Sequence, residues 1–248
     1  MKTLRCTRGL AHDLVVTRDG ARITLWSAAG IRHTVLDLAA PHIPGLEYAR
    51  NCLAALSFSP EARSFLILGL GGGSIPRMIQ AARPGAVVAA VEIDPAITNL
   101  ARTYFRIDSL PRLDIHMEDA AAYLARSRQQ YDVIIADAYI GEDYPRHCTT
   151  REFFGHARDR LTDEGVLALN WMSSDSGMFR TLAGNLEATF GPVWRLPGVR
   201  SRNTLLFAPM RETTRRQLLE DARHVERQIP FPCSLSKLAL RLQSGAGR

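Results

Sequence analysis

The chain has four cysteines, Cys6, Cys52, Cys148 and Cys233, and no two of them form a CxxC pair. Zinc-knuckle and thioredoxin-like spacings are therefore excluded, no metal site is expected, and scattered thiols suit a reducing compartment. No apolar run approaches bilayer-spanning length, and the opening Met1 to Arg8 lacks the uninterrupted apolar segment of a secretory signal. A soluble, cytoplasmic protein with no membrane partner is the expectation. Lysine is nearly missing: Lys2 and Lys237 are the only two, so the net charge of +6 rests on arginine. From Arg211 onward eight basic residues stand against four acidic ones, which puts most of that excess in the C-terminal tail. A basic appendage is weaker grounds for nucleic-acid binding than a basic groove, so nucleic acid is disfavoured as a partner. Internal repeats and low-complexity segments are also missing.

What is present is an ordinary globular composition, 46% hydrophobic and 23% charged over 248 residues, enough for one sizeable α/β domain with appendages. The chain is organised around Ser64 to Asp94. Phe65 to Leu68 is an apolar run too short for a helix, and it ends in Gly69-Leu70-Gly71-Gly72-Gly73-Ser74, which reads as a buried strand entering a glycine turn. Ser74 is expected to cap the following helix, with Pro76 in its first turn and Ile75, Met78, Ile79 and Ala82 on its apolar face. Val87 to Val91 forms a second strand, and Glu92 ends it about twenty residues past the glycines, where a carboxylate can accept hydrogen bonds from a ribose diol. Glycines without a Cβ let a ligand approach the backbone, and a helix start points free N–H groups at it. A tight strand-to-helix turn would explain the glycines alone; the spaced Glu92 favours a nucleoside.

Before this centre, Leu14 to Thr17, the turn at Asp19-Gly20 and Arg22 to Trp26 read as a hairpin, with Ile31 to Leu38 as a third antiparallel strand. Leu46, Ala49, Leu53 and Leu56 recur at helical spacing. After it come a helix over Pro95 to Tyr104, a strand over Leu113 to Met117, a helix over Ala120 to Arg126 and a strand over Tyr131 to Asp137. Thr149 to Glu152 has the form of a capping box for a helix reaching about Leu161, and Gly165 to Trp171 is a fifth strand. Val193 to Leu196 and Asn203 to Ala208 suggest an antiparallel pair at the sheet edge, Leu218 to Ile229 an amphipathic helix, and Ser244 to Arg248 a loose end. The expected fold is thus α/β: a mostly parallel sheet with flanking helices, antiparallel C-terminal edge strands, and a small N-terminal antiparallel sheet. The expected division is 1–45 for the small sheet, 46–210 for the catalytic domain, and 211–248 for the C-terminal helix and basic tail. Three successive strands end in Glu92, Asp119 and Asp137, and strand carboxyl ends line the ligand crevice of such a sheet. Asp119 could equally serve as a helix cap.

With these residues in view, the chain resembles the spermidine synthase (polyamine aminopropyltransferase) family and its spermidine-synthase-like bacterial branch. The likeness runs from about Leu46 to Ala208 and is carried by GLGGGS at Gly69, VEIDP at Val91, EDA at Glu118, DVIIADAY at Asp132 and the P-x-H-x-x-T-x-E-F-F pattern from Pro145 to Phe154. It implies a Rossmann-like, methyltransferase-type domain that binds decarboxylated S-adenosylmethionine or S-adenosylmethionine. Gly69, Gly71 and Gly73 would lie under the ligand, Glu92 on the ribose, Asp119 with Ala120 at the adenine, and Asp137 near the transferred group.

The chain departs from the family where the reaction is decided. The family's GGGDGG carries an aspartate that contacts the aminopropyl amine, and Gly72 stands in its place. The second aspartate of its D-x-x-D motif aligns with Ile140, and its Y-H-E reads Tyr48-Ala49-Arg50, so Arg50 would repel a polyamine if it faced the site. The first reading is aminopropyl transfer to a small amine, with Asp137, Glu142 and Asp143 as catalytic acids and bases and Tyr48 and Tyr139 at the substrate. The second is methyl transfer from intact S-adenosylmethionine, which needs alignment more than proton transfer. The third is a non-catalytic nucleoside- or RNA-binding module. His147 is a further candidate base, as easily a surface residue, and a homodimer is left open.

Overall fold

The computed structural model describes residues 1–141, 143–172, 175–231 and 233–245. Strands β1 (Lys2–Arg8), β2 (Asp13–Asp19), β3 (Arg22–Ser27) and β4 (Arg32–Asp37) form an antiparallel sheet in chain order. The last three are the expected strands, and they bury Leu14, Val16, Ile23, Leu25 and Leu36. Sequence patterning misses β1 because none of its side chains is buried; backbone pairing from Lys2 opposite Arg18 to Arg8 opposite Asp13 holds it. Between β3 and β4 the register shifts, with Leu25 opposite Thr34 but Trp26 opposite Arg32. His33 is the extra residue of this bulge, a device that re-aims side chains.

The expected helix from Leu46 divides into α1 (Glu47–Asn51) and a tighter 3-10 turn, Cys52–Ser57, whose residues are all buried. There follow β5 (Ser64–Leu68), α2 (Ser74–Ala82), β6 (Val87–Glu92), α3 (Pro95–Phe105), β7 (Leu113–Met117), α4 (Ala120–Arg126) and β8 (Tyr131–Ala136). The chain continues through α5 (Arg151–Asp159), β9 (Leu161–Trp171), α6 (Ser176–Phe190), β10 (Trp194–Pro197), β11 (Thr204–Pro209), α7 (Arg215–Glu226), α8 (Leu235–Arg241) and β12 (Gln243–Ser244). These strands form an eight-stranded sheet in the order β12-β10-β11-β9-β8-β5-β6-β7. β9, β8, β5, β6 and β7 run parallel, and β11, β10 and β12 complete the edge antiparallel. This is the expected fold class.

Parallel strands are covered on both faces, so they read as continuous apolar runs. Phe65 and Ile67 of β5 point into a core shared with the N-terminal sheet, α2, α3, α7 and α8, while Leu66 and Leu68 point into a second core under α4, α5 and α6. Several local expectations change. The cap of α5 is Thr150, whose hydroxyl accepts from Phe153 N, while the Thr149 hydroxyl donates to the Arg146 carbonyl. β9 starts at Leu161 rather than Gly165, and Ser244 pairs with Trp194 instead of hanging loose. Residues 246–248 lie outside the described residues. Strand order reverses at β5, between β8 on one side and β6 on the other, and the crevice at such a switch point is where open α/β sheets bind ligands.

Candidate active site

β5 ends at Leu68, and the next residue settles how close β8 can come. Gly69 has φ +100°, and a Cβ built on it would lie 2.2 Å from the Asp137 carbonyl oxygen. The glycine turn and the end of β8 are therefore in backbone contact. Gly73, left-handed at φ +74°, takes the N-cap position of α2, so Ser74 becomes the first helical residue and its side chain caps nothing, contrary to expectation. Glu92, only 5% exposed, ties this turn to β6. Its Oε2 accepts from Leu70 N at 3.1 Å and Gly71 N at 3.3 Å, and its Oε1 accepts from Asp94 N at 3.0 Å. Burial raises its pKa, against the pull of those N–H donors.

Gly72 faces away from this turn, toward β4. Its N–H donates to Thr34 Oγ1 at 2.8 Å, and a Cβ at position 72 would meet Thr34 Cγ2 at 2.6 Å and Phe105 Cδ1 at 2.9 Å. Thr34 and Phe105 thus fill the space where the family's aspartate would begin. Arg50 is turned away too: it is exposed and donates to the Pro44 carbonyl at 2.6 Å.

Two recesses open from the glycine turn. The smaller, about 310 Å³ counting space open to solvent, is lined by Gly69, Glu92, Ile93, Asp119, Ala120 and Tyr139, among others. Glu92 and Asp119, read from the ends of separate strands, do converge. Asp119 also caps α4 through Oδ1, which accepts from Ala121 N at 2.9 Å and Ala122 N at 3.0 Å. Its Oδ2 meets His147 Nε2 at 2.9 Å. One side chain therefore serves both as cap and as cleft wall, with a different oxygen for each. Burial alone would raise its pKa, but the Ala122 and His147 hydrogen bonds outweigh that and hold the carboxyl below its ordinary range. Asp119→Asn keeps an oxygen for the cap and replaces the outward oxygen with a donor; if Asp119 receives a purine, as the resemblance implies, adenosyl affinity should fall about tenfold with little change in melting temperature. Asp119→Ala should add a cap loss of about 1 kcal/mol. Isothermal calorimetry and thermal melts check both; unchanged affinity in both variants would place the purine elsewhere.

The larger recess, about 800 Å³ on the same measure, takes in Ile31, Arg32 to Thr34 of β4, Tyr48, Gly69 to Gly71, Ser74, Glu92, Asp137, Tyr139, Asn170 and Asn203. Asp137 sits on its floor. Tyr48 donates to Asp137 Oδ2 at 2.9 Å and Asn170 Nδ2 to Oδ1 at 2.8 Å, while Asn203 Nδ2 donates in turn to Asn170 Oδ1 at 2.9 Å. Burial pushes the Asp137 carboxyl up to about 6, the Asn170 and Tyr48 bonds pull it back, and the charge of Glu92 adds to the rise. Tyr139 lines both recesses; its hydroxyl donates to the Asn170 carbonyl at 3.2 Å and accepts from Met172 N at 2.7 Å.

Of the other proposed catalytic acids, Asp143 alone lies among the described residues, and it does not join them. Asp143 is exposed, paired through its backbone with Ile140 in a tight turn, and lines neither recess; Glu142 lies outside the described residues. Asn170, Asn203, His33 and Thr34 were not anticipated. An asparagine at the end of the apolar run GVLALNW was the one available signal, because a buried amide must find partners. Among the described residues no group of three His, Cys, Asp or Glu side chains is placed to hold a metal ion, and no helix is long and apolar enough to cross a membrane.

A model of the spermine/spermidine synthase domain family matches residues 52–175, half of the chain. The chain belongs to this family. Among similar proteins, this spermidine synthase family member is 36% identical to the polyamine aminopropyltransferase of Vibrio vulnificus over 58% of its own length and 49% of that enzyme's. It is 31% identical to the human eEF1A lysine and N-terminal methyltransferase over 77% of its own length and 29% of the relative's. The chain thus spans about half the length of the first relative and less than a third of the second. The crystal structure of human methyltransferase-like protein 13 in complex with SAH superposes with a TM-score of 0.67 at 27% identity, covering 76% of this chain and 95% of that one.

Proposed function

We propose that this chain is a transferase that binds an adenosyl sulfonium, S-adenosylmethionine or its decarboxylated form, and alkylates a small amine. The observation that carries the reading is the place of Asp137: a half-buried carboxylate beside Gly69, where the smaller recess meets the larger one. A nucleoside with its ribose at Glu92 and its purine edge at Asp119 would bring its 5′ end to Gly69, and so to Asp137. The residues present fit such a ligand, since the Glu92 and Asp119 oxygens keep lone pairs for hydroxyl and amino donors. The names of the relatives support the same chemistry, because an aminopropyltransferase and a lysine and N-terminal methyltransferase both alkylate nitrogen.

When bound, the sulfonium supplies a carbon activated by a positively charged leaving group. Asp137 accepts the proton that the attacking amine must lose, and its pKa near 6 leaves it ionised at neutral pH for that task. Tyr48 and Asn170 fix the carboxylate so that the freed lone pair is aimed in line with the bond that breaks. The electron pair of that bond stays on sulfur, and a neutral thioether leaves.

Thermal denaturation with methylthioadenosine, S-adenosylmethionine and decarboxylated S-adenosylmethionine tests the reading. A ligand at a hundred times its dissociation constant stabilises by about 2.7 kcal/mol, which corresponds to a rise of roughly 5 to 10 °C for a chain of this size. Identical melting curves with and without all three compounds would end it.

A further inference from the structure

We propose that the larger recess is built for the amino-acid end of intact S-adenosylmethionine, with Arg32 and the start of α2 receiving its carboxylate, so that the transferred group is methyl. This rests on the adenosyl reading above and names which sulfonium the site takes.

The first support is the distribution of charge along the recess. Arg32 is its one lysine or arginine, and among the described residues the guanidinium has neither a hydrogen bond nor an ion pair. The two acids of the same recess have other tasks in this reading: Glu92, which holds three backbone N–H groups, keeps a lone pair for the ribose, and Asp137, held by Tyr48 and Asn170, faces the attacking amine. A bare aminopropyl ammonium lying toward β4 would meet a like charge there. A carboxylate would meet a free cation, which is the pairing that forms strong charge-assisted hydrogen bonds.

The second support comes from the helix. Because Gly73 takes the cap position, the Ser74 hydroxyl and the N–H groups of Ser74 and Ile75 are left without a capping acceptor on the recess wall, and a helix start favours an anion. The third is steric. Thr34 and Phe105 occupy the volume that an acidic side chain at position 72 would need, so the wall offers an ammonium no carboxylate from the glycine turn. A zwitterionic tail also requires an acceptor for its α-ammonium. The bulge at β4 turns His33 into the recess, where its Nε2 is buried with no hydrogen-bond partner among the described residues, and burial, with His12 close by, keeps the ring neutral by lowering its pKa to about 4.

The balance of the step is simple. The amine nitrogen forms a bond to the methyl carbon, the carbon–sulfur bond breaks, its electron pair remains on sulfur as S-adenosylhomocysteine, and the amine proton passes to Asp137 and on to water.

Calorimetric titration of the full chain with S-adenosylmethionine, its decarboxylated form and methylthioadenosine, on wild type, Arg32→Ala and Arg32→Glu, decides it. Wild type should prefer the intact compound by about tenfold or more, and Arg32→Glu should remove that preference while methylthioadenosine, which has no tail charge, binds as before. Equal or tighter binding of the decarboxylated compound by wild type overturns the inference, as does an Arg32→Glu variant with undiminished preference. If methylthioadenosine binds and S-adenosylmethionine does not, the carboxylate subsite alone falls. If none of the three binds, the adenosyl reading falls with it.

Discussion

Asp137→Asn should lower turnover by about a hundredfold to ten-thousandfold while leaving affinity for the adenosyl ligand nearly unchanged. Asparagine has the shape of the aspartate and can still meet its neighbours, because the Tyr48 hydroxyl can turn from donor to acceptor. It cannot take a proton from an amine. Wild-type activity should accordingly rise through a midpoint near pH 6 as the carboxyl ionises, and the variant's residual rate should lack that limb. Stability should move in the opposite sense. An acid whose folded pKa is raised holds its proton longer in the native state, so its stabilising contribution is complete below the ordinary carboxylate range and is lost as pH rises through about 6. Asp137→Asn should therefore melt higher than wild type at pH 8 and show no such gain at pH 4. Wild-type turnover in the variant would remove Asp137 from the mechanism, whereas lost turnover with a lower melting temperature at pH 8 would mean a damaged fold.

Gly69→Ala should be the most destructive glycine-to-alanine change among the described residues. The added carbon would fall 2.2 Å from the Asp137 carbonyl oxygen, at a backbone angle of φ +100° that side chains rarely adopt. Either β5 and β8 part or the turn is rebuilt, and both move Asp137 relative to the ligand. A loss of about 3 kcal/mol or more is expected, together with loss of adenosyl binding. Gly85→Ala is the matching control: its φ is +89°, but nothing lies within 4 Å of the added carbon, so only the cost of the strained backbone, about 1 to 2 kcal/mol, remains. Urea denaturation of the two variants separates contact from strain. Equal midpoints would mean that the Gly69 to Asp137 approach is not made.

These two residues were legible in unequal ways. The glycine run and the acid at the end of Tyr131 to Asp137 both stand out in the sequence, but that they touch depends on β5 and β8 being neighbours. The same holds for Asp119. Its place after a strand and before a helix suggested either a cap or a ligand group, and the fold makes both true by giving each oxygen its own direction. Gly72 shows the opposite case. Its chemistry as a missing carboxylate was readable, while the reason no side chain can extend there, Thr34 reaching over from a separate sheet, was not.

By itself the sequence determined the parallel sheet, the order of its strands along the chain and the three acids at their ends. Those follow from apolar periodicity and turn residues, which act over a few neighbouring positions. β1 escaped because its pairing is carried by backbone groups that every residue shares. Only the tertiary structure decided that Asn170 and Asn203 brace Asp137, that β4 closes the cleft, and that Arg32 stands on it with no partner among the described residues. Such relations join residues far apart in the chain, and hydrogen bonds and charges between them depend on distances that exist only once the two sheets have packed.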